Sequence, residues 1–215
     1  FVHNYGEYAV PNEYIFYVDG KNVGSTTTAI NSYGWYNGYA MGPLYIGKHS
    51  YNNSVYWTGY ISDFRIVNSL VYDSEFTPPT APLTPITNTQ LLTCTNKNKF
   101  YDATGSLPLL TAYNNITTST SEVSYSGTSL YAAGRSDYLS FDGTKAAFNT
   151  LPGDFTIELE CKLTSSNMAY AFLVNLYDGG TAGNARIRFG DTGYGYHLQF
   201  VINNGGGASA VYSVD

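Results

Sequence analysis

The chain of 215 residues is long enough to bury one large core or two small ones. Only 12% of it is charged and the formal net charge is −6, while 22 Tyr and 22 Gly, with many Asn, Ser and Thr, take the place of ionic groups. No basic block supplies the footprint that phosphate-backbone binding needs, and no apolar run approaches the roughly 18 residues of a membrane-crossing helix, so both of those classes are set aside.

Phe1 to Tyr5 reads as a short strand. With no initiator Met and no signal peptide, the chain is expected to be a piece of a longer polypeptide. Glu13 to Ser25 predicts a β-hairpin with Asp19-Gly20 at its turn, where glycine supplies the positive φ. Asn31 to Pro43, full of Gly, Tyr and Asn, predicts a long exposed loop, and Leu44 to Gly47 a strand. Alternation is strongest between Val55 and Val67: Phe64 and Ile66 point one way, Asp63 and Arg65 the other, as in a half-buried strand. A short turn or helical piece is expected near Ser69 to Glu75. Pro78, Pro79, Pro82 and Pro85 then remove backbone donors, so no sheet continues through them.

Leu91 to Cys94 restarts a strand, and Leu107–Ala112, Ser121–Ser126, Ser129–Ala132 and Tyr138–Asp142 follow, the last ending in a second Asp-Gly turn at Asp142-Gly143. Four further strands are expected in meander order. Phe155–Leu163 places Phe155, Ile157, Leu159, Cys161 and Leu163 inward, with Thr156, Glu158, Glu160 and Lys162 outward. Tyr170–Tyr177 is apolar on both faces. Ala185–Phe189 turns Ile187 inward and Arg186 and Arg188 outward, and Tyr196–Ile202 turns Leu198 and Phe200 inward and His197 and Gln199 outward. No segment reads as a helix longer than a turn or two. Short strands separated by Gly, Asn and Pro turns predict an all-β, antiparallel two-sheet β-sandwich. Cys94 and Cys161 lie on apolar strand faces and read as buried free thiols, with a disulfide left open if their strands are neighbours.

The motif Trp57-Thr-Gly-Tyr-Ile-Ser-Asp-Phe-Arg-Ile, with Val71-Tyr72 and Phe76-Thr-Pro-Pro-Thr-Ala-Pro, resembles the C-terminal end of a laminin-G-like jelly roll, the concanavalin A-like lectin/glucanase fold. Leu91-Leu-Thr-Cys, Tyr138-Leu-Ser-Phe-Asp-Gly and Gly153-Asp-Phe-Thr-Ile-Glu resemble the N-terminal half of the same domain. The form most resembled is the tandem one of bacteriophage tail and virion proteins. It implies that residues 1–83 are the second half of one jelly roll, 84–88 a Pro/Thr linker and 89–215 the first half of the next. The chain would then be one period of a repeat cut out of frame, with Ala210 to Asp215 running toward a strand like Phe1 to Tyr5. Either the halves close on each other in permuted order, or each completes a neighbour's sandwich. The need to cover strand edges favours sharing.

Glu158 and Glu160 are the one closely spaced pair of carboxylates on a strand face. Related glycoside hydrolases place acids at alternate strand positions, one to attack and one to protonate, but here the next position is Lys162. With Arg186, Arg188, His197 and Gln199 across from them, the two acids are instead expected to form ion pairs or a polar face for sugar. Trp35, Tyr36, Trp57, Tyr177, Tyr194 and Tyr196 would supply aromatic faces for ring C–H groups. A calcium ion, if one is bound, would be held by Asp178, Asn184 and Asp191 from the Gly-rich loop. Gly205 to Gly207 is no phosphate loop, since it lacks the Lys-Ser/Thr end, and His3, His49 and His197 are too scattered to be ligands.

The expected role is a non-enzymatic structural and adhesion module on a virion or other extracellular surface. Its partners would be copies of itself, other fibre subunits or cell-surface polysaccharide, with no nucleic acid and no membrane insertion. A polysaccharide-cleaving enzyme of this fold and a purely architectural subunit without ligand are the alternatives.

Overall fold

A computed structural model describes residues 2–4, 12–28, 44–48, 56–95, 100–105, 110–122, 125–134, 136–141, 154–164, 171–177, 184–191, 196–203 and 209–214. They form the strands β1 (Val2–Asn4), β2 (Asn12–Val18), β3 (Lys21–Thr28), β4 (Leu44–Ile46), β5 (Gly59–Val67), β6 (Thr89–Thr93), β7 (Thr111–Tyr113) and β8 (Thr117–Ser119). The series continues with β9 (Ser129–Ala132), β10 (Tyr138–Phe141), β11 (Phe155–Leu163), β12 (Ala171–Tyr177), β13 (Asn184–Asp191), β14 (Tyr196–Asn203) and β15 (Ser209–Val214). Among the described residues there is no helix, and Ser69 to Glu75 is bend and extended chain.

The first sheet runs β3-β2-β1-β11-β5-β9-β8, with β6 also on β5, and the second runs β15-β14-β13-β12-β4-β10-β7. Every pairing is antiparallel. The apolar halves of the alternating strands meet between the sheets. Tyr14 and Phe16 of β2 face Phe200 of β14 with ring centroids 6.3 and 5.9 Å apart, and Trp57 lies 5.8 Å from Phe189. Phe64, Ile66, Leu91, Leu130, Leu139, Phe141, Phe155 and Val174 fill the same core. Burying each such side chain contributes about 1.5–3 kcal/mol. The described residues therefore form an antiparallel two-sheet β-sandwich in which each sheet takes strands from both 1–83 and 89–215. Within this one chain the two segments close on each other, in permuted strand order. The reason lies in β5 and β11, nine-residue strands of matched pattern that pair along almost their whole length.

β5 is buried on both faces, not half-buried. Its ladder with β11 slips between Glu158 and Glu160, and the extra residue is Asp63, which adopts φ 49. The bulge divides one edge of β5 between two partners, β9 along Gly59–Ile61 and β6 along Phe64–Val67. The outward side chains past the bulge are covered by the proline-rich segment. Asp63 accepts the Leu83 N–H at 2.9 Å, and Arg65 donates to the Thr84 carbonyl at 2.7 Å. Residues 77–88 thus cross the back of the first sheet to bring in β6.

Three other expectations change. β11 does not begin a meander with β12: it lies in the first sheet, and the meander is β12-β13-β14-β15. Of the strand expected at Ser121–Ser126, residues 123 and 124 lie outside the described residues and the others bend or turn; the described strand nearest to it is β8, after which Ser119 and Ser121 hydrogen-bond locally. Cys94 is buried and Cys161 exposed, both free. The apolar face of β11 loses its cover toward Leu163, so alternation there does not bring full burial.

Candidate functional site

The second sheet turns a band of tyrosines away from the core. Leu44 and Ile46 of β4 and Leu139 and Phe141 of β10 point inward, so alternation turns Tyr45, Tyr138 and Ser140 outward. Register then places Tyr113 of β7 opposite Tyr138, where the rings stack 4.4 Å apart at 7°. Tyr45 meets Tyr138 edge-on at 5.8 Å, and Tyr56 lies 6.2 Å away. Tyr113, 40% exposed, is the solvent-facing member.

Lys48 closes this cluster. Gly47, at φ 89, turns the chain after β4, receives the Trp57 N–H at 2.9 Å and so sets Lys48 against Tyr56. The Lys48 ammonium stands 4.6 Å from the Tyr138 ring centroid and 5.1 Å from that of Tyr45. Only 8% of Lys48 is exposed, and burial pushes its pKa down. Burial, and then neighbouring Tyr113, pushes the Tyr45 and Tyr138 phenols up.

Farther along the same face, Phe172 of β12 is opposite Arg188 of β13, whose guanidinium carbon is 5.7 Å from its ring. Arg188 Nε donates to Gln199 Oε1 at 2.9 Å. Asn175 is opposite Tyr45 and buried. Phe172, Asn175 and Gln199 are buried, so the groups that reach solvent here are Tyr113 and, in part, Tyr45, Tyr56, Tyr138 and Arg188, flat rings with phenol and cationic donors of the kind suited to sugar C–H groups and hydroxyls.

Arg188 and Gln199 are brought together as expected, but Glu158 and Glu160 are not with them, because β11 belongs to the other sheet. Glu158 is held on that sheet's back by the Arg65 guanidinium and by the Tyr72 hydroxyl at 2.8 Å. Glu160 stands opposite Ser62. Asn184 and Asp191 occupy the two ends of β13, about 23 Å apart at 3.3 Å per residue, so they cannot ligate one calcium ion. Among the described residues no group of three or more His, Cys, Asp or Glu is placed to hold a metal. Trp57 is core. Trp35, Tyr36, Tyr194 and Asp178 lie outside the described residues, as do the side chains of Arg186, His197, Tyr177 and Tyr196.

The tyrosine band and Lys48 escaped the sequence reading. Alternation around Leu139 gives the outward place of Tyr138, but no local pattern announces that β7, β10 and β4 are adjacent.

Residues 1–75 match the Concanavalin A-like lectin/glucanases superfamily. The match is to its Laminin_G_3 model, includes the Trp57 motif and bears out the laminin-G-like resemblance over that stretch. It covers about a third of the chain. No curated protein and no solved structure matches.

Proposed function

We propose that the chain is a non-enzymatic carbohydrate-binding and structural module that displays the tyrosine face of its second sheet to polysaccharide. The stacked pair Tyr113 and Tyr138, with Tyr45 edge-on and Lys48 beneath, carries this reading. The superfamily matched by residues 1–75 supports it. A virion or extracellular fibre, with further copies as neighbours, is the setting that the resemblance to tandem phage proteins supplies. Glu158, committed to Arg65 and Tyr72, favours a structural over a catalytic role for the β11 carboxylates.

A glycan array tests the proposal. The wild-type chain should bind a subset of glycans, and Tyr113→Ala should lower that signal about tenfold or more without changing the thermal melt. Equal binding by the variant, or none by either protein, would remove the tyrosine face as a sugar site and leave the architectural reading. Reducing ends released from β-glucan by the wild type but not by Glu158→Gln would install the enzymatic one.

A further inference from the structure

β1 is shorter than the two strands it joins. It pairs antiparallel with both, and Val2 stands opposite Ile15 of β2 and Thr156 of β11. The described ladder ends there. Phe1, outside the described residues, would extend it only to Phe16 and Ile157. β2 runs on to Val18 and β11 to Leu163, and the two do not pair with each other. Among the described residues, nothing pairs with the β1-side edge of Glu158–Leu163 or of Phe16–Val18. At about 4.8 Å between neighbouring strands, the space left between β2 and β11 is one strand wide.

Burial falls away at the same level. Phe155 and Ile157 are buried, but Leu159 and Leu163, on the same face of β11, are half-buried and Cys161 is exposed. The facing sheet still covers this level, since Ile61, opposite Cys161 on β5, is only 1% exposed. The missing cover is therefore on the β1 side, where Val18 and Val23 of the hairpin are also only partly buried. The space has a back wall. Glu158 accepts from the Tyr72 hydroxyl, Tyr72 stacks on Phe76 at 3.6 Å, and Phe76 meets Tyr17 at 5.4 Å, so a line of side chains bridges β11 to β2. Cys161 is open to solvent yet crowded: the atoms around it first, and then the charges of Asp19 and Glu160, push its thiol up to about 12. A group both crowded and accessible lies in a recess. Asp19 and Glu160 stand at the mouth of this one, and neither is paired with a cation among the described residues.

We infer that the slot between β2 and β11 takes an extended segment of a second polypeptide, in line with β1 and antiparallel to both walls. Its apolar residues face Leu159, Cys161 and Leu163, and a basic residue between them lies beside Glu160 and Asp19. Such a strand satisfies the open backbone edges on both sides at once and restores the cover that β11 lacks, whereas a strand added at the rim of a sheet pairs on one side only. The inference is independent of the sugar reading, whose tyrosines lie on the other sheet.

The probe is a synthetic peptide of about eight residues that alternates Val with Thr around one central Lys, a length that spans the open edge of β11. Its controls are the same residues shuffled to break the alternation and a version with Glu in place of Lys. By fluorescence anisotropy the wild-type chain should bind the alternating peptide about tenfold or more tighter than the shuffled one, and about threefold tighter than the Glu version. Amide exchange should slow at Glu158–Leu163 and Phe16–Val18. Joined ahead of Phe1, where its effective concentration is high, the alternating segment should raise Tm by about 3 °C or more and the shuffled one should not. Cys161→Asp, a charge on the apolar wall at an exposed position, should abolish both the binding and the rise, and Glu160→Gln should erase the preference for Lys. Equal binding of the alternating and shuffled peptides overturns the inference, as does equal binding of the Lys and Glu versions. Exchange slowed instead at Lys21–Thr28 or Ser209–Val214 places the peptide on an outer sheet edge and overturns it too. So does a wild type whose β1-side amides are already slow without peptide, since its own chain or a second copy then fills the slot. Should Cys161→Asp fail to fold, the place of slowed exchange decides alone. None of these outcomes bears on the sugar reading, which the glycan array tests by itself.

Discussion

Arg65 is the side chain on which the back of the first sheet converges. Its guanidinium reaches Glu158 and the Thr84 carbonyl, and its side chain is only 6% exposed. Replacing it by Met would leave a largely buried carboxylate without its cation, and we expect Arg65→Met to cost about 3 kcal/mol in urea unfolding. Cleavage by a protease within 77–88 should increase with it, since Thr84 loses its anchor; an unchanged digestion pattern would sink this account. Tyr72 adds the second ligand to Glu158. Burial first, and then the Glu158 charge, push its phenol up to about 12 from 10.0. The folded chain thus keeps a proton that the unfolded chain loses. This contribution is complete below about pH 10 and fades as pH rises toward 12. Tyr72→Phe should cost about 1–3 kcal/mol at neutral pH and flatten the alkaline fall in stability between those limits. Cys94 is buried and its thiol is likewise pushed up to about 12, by burial before any other cause. In a Cys161→Ser background, maleimide should label no thiol until the chain unfolds.

At the scale of elements, the β2–β3 hairpin and the segment after β5 hold each other. The Phe76 N–H donates to the Gly20 carbonyl at 3.0 Å, Lys21 pairs with Glu75 at 2.8 Å, and the Tyr17 ring meets Phe76 edge-on at 5.4 Å. Gly20 has φ +76, and a Cβ there would strike the Phe76 carbonyl. Gly20→Ala should therefore cost about 1–3 kcal/mol, with most of the loss coming from separation of hairpin and segment. A melt within a degree of wild type would show that the contact is dispensable. The Asp19-Gly20 turn was legible in the sequence, because a two-residue hairpin needs positive φ where glycine stands. So were the bounds of β11, from unbroken alternation, though not the burial of its sides, since Thr156 is buried and Cys161 exposed. The bulge at Asp63 was not. A one-residue slip leaves no mark in Ser62-Asp63-Phe64-Arg65-Ile66, which alternates as an ordinary strand does from Asp63 on, and is specified only by the strands on either side.

For the whole molecule, the same limit explains why the candidate site was only half legible. Alternation showed that Arg188 and Gln199 turn away from the core, but not that β11 belongs to the opposite sheet, so the carboxylates of Glu158 and Glu160 were grouped with them. The tyrosine band needs Tyr113, Tyr138 and Tyr45 on three neighbouring strands drawn from sequence positions far apart, and long-range pairing has no local signature. That pairing also carries the stability. β5 lies between β11 on one edge and β6 and β9 on the other, and β4 lies between β10 and β12, so in each sheet a strand from 1–83 is flanked by strands from 89–215. Each segment keeps some paired strands when the other is removed, β1-β2-β3 in 1–83 and β12-β13-β14-β15 in 89–215, but neither keeps a two-sided core. Expressed separately, 1–83 and 89–215 should each lack the dispersed amide spectrum of a folded β protein, and mixing them should restore it. The intact chain should melt in one transition seen alike by tryptophan fluorescence and far-ultraviolet circular dichroism. Two transitions, or a folded isolated 89–215 fragment, would mean that the segments are separate bodies, and the permuted sandwich would have to be abandoned.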